Sequence, residues 1–151
     1  MKLAEALIAR ADLQNKAGQI KRRISQSAKV QEGDEPVEDA AELLRQYDAL
    51  MAELEALVIR INRTNAASVL DNGVLADAIA KRDSLKARIN TYRELCDEVS
   101  VMRERGYDRT DIKYVRCVDV SELRKQMDEL SKQYRELDTK MQGMNWTVEL
   151  L

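Results

Sequence analysis

The chain of 151 residues contains no histidine and no phenylalanine, one proline, five glycines, two cysteines and one tryptophan. Each scarcity closes a class. Without His, the His-bearing zinc and di-iron sites and Ser-His-Asp catalysis lack a ligand or a base. Cys96 and Cys117 form neither a Cys-x-x-Cys pair nor a metal set, so no metal, no cofactor and no catalytic residue is expected. Free thiols fit a reducing, cytoplasmic compartment. Aromatics are only 4% of the chain, so Leu, Ile, Val, Met and Ala must fill the core. Long apolar runs are also missing. The longest charge-free stretch is Met141 to Val148, far short of the roughly 18 residues of a membrane span. Glu5, Arg10 and Asp12 interrupt the N-terminal segment where a secretory signal would need an apolar centre.

What is abundant is charge of both signs. Charged residues make up 34% of the chain, with 25 Lys plus Arg against 27 Asp plus Glu, a formal net charge of −2. No global basic field attracts phosphate backbones, so nucleic acid is not an expected partner. The distribution is uneven. Residues 1 to 30 carry seven basic and two acidic side chains, and residues 31 to 55 carry nine acidic and only Arg45 basic. Two such segments are expected to face each other as one antiparallel hairpin, with Lys21, Arg22 and Arg23 at the end of one helix and the acids from Glu35 to Glu42 at the start of the next.

Apolar residues recur at three and four positions along four segments, the spacing that holds one stripe on one helical face. The stripes are Leu3, Ala6, Arg10, Leu13, Ala17, Ile20, Ile24; then Ala40, Leu43, Tyr47, Leu50, Leu54, Leu57, Ile61, Thr64; then Leu75, Ala78, Arg82, Leu85, Ile89, Tyr92, Cys96, Val99; and Val120, Leu123, Met127, Leu130, Tyr134, Leu137, Met141. They predict helices over about 2–30, 39–65, 76–104 and 120–143, in a single mainly α domain spanning 1–151, a four-helix bundle of long antiparallel helices. Gln31 to Pro36 breaks the first pair. Asp119 with Glu122 reads as a capping start for the last helix and Gly143 as its end.

Two connections read as β-structure. Asn72-Gly73 between short apolar runs predicts a hairpin over about 68–75. Ile112 to Val118, rich in β-branched and aromatic residues, predicts one extra strand. In an up-down bundle these lie at opposite ends, so either the chain from about Arg103 to Asp119 crosses the bundle or the strands pair between subunits.

Arg10 and Arg82 occupy stripe positions that would otherwise be apolar, and antiparallel register sets both level with residues 58 to 60. Arg10, Asn62, Arg63, Asn65 and Arg82 are therefore the candidate ligand-binding residues, a layer at one end of the bundle that could grip an anion, with Glu136 or Asp138 as an acidic partner. The structural alternative weighs more: arginine stems lie on the core edge, and Asn and Thr at a helix end satisfy its last carbonyls. Tyr47, Tyr92 and Tyr134 read as packing residues with hydroxyls reaching outward. Trp146 could anchor a partner or fold back on its own bundle.

The runs VQEGDEP, RINRTNAAS, LADAIAKRD, IKYV with VDV, and MNWTVEL together resemble a family of bacterial proteins labelled septicolysin-like. The resemblance implies a bacterial, cytoplasmic helical protein without established catalytic residues, and its label implies a membrane-active cytolysin.

The leading reading is a non-enzymatic, self-associating helical scaffold or interaction protein. Leu44, Met51 and Val58 widen the apolar face of the second helix, and Leu7 and Ile8 add to the first, so a homo-oligomer, most simply a dimer, is expected, with another protein partner possible. The other two readings are the cytolysin and a ligand- or anion-binding protein or enzyme using the arginine and asparagine layer.

Overall fold

The computed structural model describes residues 1–101 and 115–151, the side chain of Val101 excepted. It is mainly helical, with four helices and one small hairpin: α1 (Leu3–Ser27), α2 (Ala40–Ala67), β1 (Val69–Leu70), β2 (Gly73–Val74), α3 (Leu75–Val101) and α4 (Val120–Thr147). No residue of the four expected stripes is exposed, the signature of helices each burying one continuous face. No helix among the described residues is long and apolar enough to cross a membrane. The chain divides into two compact units, residues 1–69 with 143–151 and residues 70–142.

In the first unit α1 and α2 run antiparallel. Leu3, Ala6, Leu13 and Ala17 are buried on α1, as are Leu43, Ile61 and Thr64 on α2. Glu5 accepts the Lys2 backbone N–H at 2.7 Å, and Asp39 caps α2 by accepting Ala41 N–H at 2.8 Å. Both satisfy donors that a helix start leaves unpaired. Arg23 forks onto Glu38 across the turn, the pairing that the uneven charge distribution demands. That hydrogen bond holds the Glu38 carboxyl below its ordinary range and raises Arg23. α1 stops at Ser27, three residues short of the expected end, and Gly33 turns the chain with φ +94°.

The tail of the chain clasps this unit. Leu3 N–H donates to Val148 O at 2.9 Å and Leu150 N–H to Met1 O at 2.9 Å, around an isolated antiparallel bridge between Lys2 and Glu149. Leu151 N–H donates to the Thr64 hydroxyl at 3.0 Å, which itself donates to Arg60 O at 2.9 Å, and Arg60 Nε donates to Leu151 O at 2.8 Å. Thr64 is only 1% exposed, so its hydroxyl is a buried relay joining helix and tail.

The second unit is an antiparallel pair of α3 and α4 around Leu85, Ile89 and Leu130, with Tyr92, Met127, Tyr134 and Leu137 packed against them. The Tyr92 hydroxyl donates to Gln126 Oε1 at 3.0 Å, as expected of a packed tyrosine whose polar end needs one partner. Asp119 caps α4, accepting from Ser121 N–H at 2.8 Å and Glu122 N–H at 3.2 Å. Lys140 meets Asp71 of the hairpin at 2.8 Å, a bond that raises the lysine's pKa.

Three connections depart from expectation. The hairpin turns on Asp71 and Asn72, with Asp71 at φ 52°, and Gly73 opens β2 instead of sitting in the turn. Asp77, in the first turn of α3, returns its carboxylate to Val74 N–H at 3.2 Å, and a Cβ on residue 73 would lie 3.0 Å from Asp77 Oδ2. The glycine serves that close approach. Of the extra strand expected over 112–118, residues 115–118 have no strand structure, and Val115 and Val118 are exposed. β-branched residues make a strand only against a paired neighbour. Residues 112–114 lie outside the described residues, as do 102–104 of the expected third helix. Finally, Gly143 does not end α4, which continues to Thr147, where Lys2 Nζ reaches Thr147 O at 3.1 Å and serves a terminal carbonyl.

Three measurements follow. Replacing Thr64 by Val should cost about 1–3 kcal/mol in urea unfolding, since Leu151 N–H loses its acceptor, and Thr64→Ser should recover much of that; equal losses would refute the relay. Gly143→Ala should stabilise by about 0.5–1 kcal/mol, because the site is helical and open around the missing Cβ. Glu149 accepts from Lys2 and the Met1 amino group, and these bonds, Lys2 first, hold its carboxyl below the ordinary value. A depressed folded value gives a contribution present above the unfolded pKa of about 4.3 and lost as pH falls through the lower folded one. The pair is exposed, so the effect is modest. Stability of the native chain should therefore drop more steeply below about pH 4 than that of Glu149→Gln.

Candidate functional site

The five residues expected to form an anion-gripping layer fall in both units: Arg10, Asn62, Arg63 and Asn65 in the first and Arg82 in the second. On α1, Arg10 is partly buried, and its Nε is shielded from solvent with no hydrogen-bond partner among the described residues. Asn62 and Arg63 are exposed on α2 and Asn65 is partly buried. The carbonyls at that helix end are served by neighbouring hydroxyls, Thr64 to Arg60 O and Ser68 to Thr64 O at 2.7 Å, which matches the structural role of such residues at a helix end.

Arg82, on α3, is engaged by acids of its own unit. Its Nη2 lies 2.9 Å from Asp83 Oδ1 and its Nη1 3.8 Å from Asp138 Oδ1. Asp138 is thus the acid of the last helix that meets this arginine. Its own acids already compensate Arg82, which lies a little under one third exposed in its side chain.

Cys96 is buried and Cys117 exposed, and neither forms a disulfide. Among the described residues no group of three or more acids and cysteines is arranged to hold a metal ion. Trp146, at the last turn of α4, is 60% exposed and does not fold back to cap its unit.

Three surface features lie outside the arginine set. The outer face of α2 carries Leu44, Met51 and Ile59 at 48%, 38% and 42% exposure, with Val58 half-buried beside them. Between α1 and α2 lies an apolar-floored groove of about 410 Å³ containing Ala9, Leu13, Ala56 and Leu57, rimmed by charges of both signs such as Asp12 and Arg60. Along the α3–α4 seam runs a second groove, about 260 Å³, lined by Lys86, Asn90, Arg93 and Arg135 over an Ile89 floor. The first feature is legible in sequence from its seven-residue spacing. The last is not, because the spacing of Lys86, Asn90 and Arg93 marks one helical face, while only the cross-helix register brings Arg135 beside it.

Among curated proteins no match is found. A crystal structure described as that of a functionally unknown conserved protein from Corynebacterium diphtheriae is similar at 39% sequence identity, covering 100% of this chain and 99% of that one with a TM-score of 0.91. A model of a family of unknown function, DUF6847, matches residues 10–150. These findings correct the septicolysin-like resemblance: the short runs that suggested it lie within the residues matched by the model of a different family, and the cytolysin it implied loses its basis. Matched over residues 10–150, the chain belongs to DUF6847, a family of unknown function.

Proposed function

We propose that the protein is a non-enzymatic helical scaffold that works as a homodimer, with the outer face of α2 as its contact. The observation that carries this reading is the exposure of Leu44 and Met51, seven residues apart on one face of α2, with Val58 a further seven along. Residues at that spacing form a straight seam along a helix. The seam is symmetric about Met51. A two-fold axis there sets Met51 against its own copy and Leu44 against Val58 of the partner helix, the self-complementarity that an isologous contact requires. Small apolar patches occur on every soluble protein, but an apolar row at heptad spacing along a long helix is the kind of surface that association covers. Unpaired thiols at Cys96 and Cys117 support a reducing compartment, hence action in the cytoplasm.

The reading is tested by sedimentation equilibrium at micromolar concentration. The native chain should sediment at twice its 17.3 kDa mass, and a Leu44→Glu, Met51→Glu variant at the monomer mass with its helical circular dichroism unchanged. Both positions are exposed, so the charges burden the contact and not the fold. A native chain that is monomeric throughout, or a dimer indifferent to both charges, overturns the proposal.

A further inference from the structure

We infer that the groove along the α3–α4 seam is a binding site for a diphosphate group, free or carried by a nucleotide. Lys86, Asn90 and Arg93 stand at i, i+4 and i+7 on α3, on one face, and Arg135 faces them from α4. Three cations thus share a groove of about 260 Å³ whose lining contains no acid.

Arg82 meets Asp83 and Asp138 and Lys140 meets Asp71, whereas Lys86, Arg93 and Arg135, like Lys81, Arg88 and Lys132 of the same unit, make no ion pair among the described residues. Like charges that line one groove repel one another, and a polyanion reduces that repulsion while gaining charge-assisted hydrogen bonds.

The donors also select the ligand. Arg93 Nη1 donates to Asn90 Oδ1 at 3.3 Å, which steadies the guanidinium at the groove and leaves its other N–H groups available. Both guanidinium groups offer planar forks suited to phosphate oxygens, and Lys86 adds a point charge. Tyr134 and Ser131 also line the groove, so the site presents polar side chains around an apolar floor at Ile89. A ligand rich in acceptors with about three negative charges matches it. At neutral pH a diphosphate has that charge, and the volume lies just below the roughly 300–1,000 Å³ of sites for larger organic ligands.

The test is isothermal titration of the full chain with sodium pyrophosphate, with ADP as a second arm, at low and physiological salt. Pyrophosphate should bind one-to-one, more weakly at the higher salt. Arg93→Gln and Arg135→Gln should each weaken binding about tenfold or more, a charge-assisted contact being lost at an exposed position where the fold does not depend on it. Lys21→Gln with Arg22→Gln, at a basic cluster on α1, should leave binding unchanged. ADP binding more tightly than pyrophosphate identifies a nucleotide as the source, and equal affinities identify the free diphosphate; either supports the site. No saturable binding of either probe up to millimolar concentration overturns the proposal. Binding that survives both arginine substitutions, or that falls with the α1 substitutions instead, overturns it equally.

Discussion

A core without phenylalanine must be assembled from long, uninterrupted aliphatic stripes, and that constraint governs the rest of the structure. Leucine, isoleucine and alanine bury less surface per residue than large aromatics, so each helix has to bury a full face along most of its length. The helices are accordingly 25 to 28 residues long, about twice the common length. Every polar residue that interrupts a stripe then becomes a matter of hydrogen-bond satisfaction. Thr64 is resolved by Leu151 and Arg60, Tyr92 by Gln126, and Arg82 by Asp83 and Asp138. Arg10 differs, its Nε being shielded from solvent with no partner among the described residues.

Helical periodicity was the legible part because it is written in every turn. All 30 stripe residues from Leu3 to Met141 are buried or partly buried, and the caps at Asp39 and Asp119 are local, their acceptor and donors lying within three residues. Features that depend on distant backbone were not legible. The clasp joins Leu3 to Val148 and Met1 to Leu150 through main-chain groups, which every residue possesses and no side chain announces. Gly143 misled for the same reason. Its local reading as a helix end is sound, yet Lys2, far away in sequence, serves the carbonyl at Thr147 and the helix runs on. The hairpin was located correctly but shifted by one residue, since Asn-Gly favours the turn while the Asp77 carboxylate, folding back over residue 73, favours a glycine just after it.

The candidate site was legible only in fragments. Stripe analysis singled out Arg10 and Arg82 because an arginine among leucines is conspicuous, and the conspicuous arginine Arg82 proved to be compensated by its own neighbours. Cations on an outward face draw no such notice, because a charged residue there is what an amphipathic pattern predicts. Lys86, Arg93 and Arg135 line one groove with no acid in its lining, and that shared lining can be seen only once both helices are in register.

The same distinction explains why the acids near the start of α2 carry less functional weight than their number suggests. Glu38 is held by Arg23 and Glu42 by Arg45, and Asp39 is engaged in capping. A cluster so paired within its own unit has little charge left to offer a ligand, and its exposed ion pairs add little stability. Charge becomes available for recognition where local pairing fails. By that criterion Glu38, Asp39 and Glu42 chiefly serve the start of one helix, whereas the groove along the α3–α4 seam has three cations and no acid in its lining, a local excess that the net charge of −2 does not reveal.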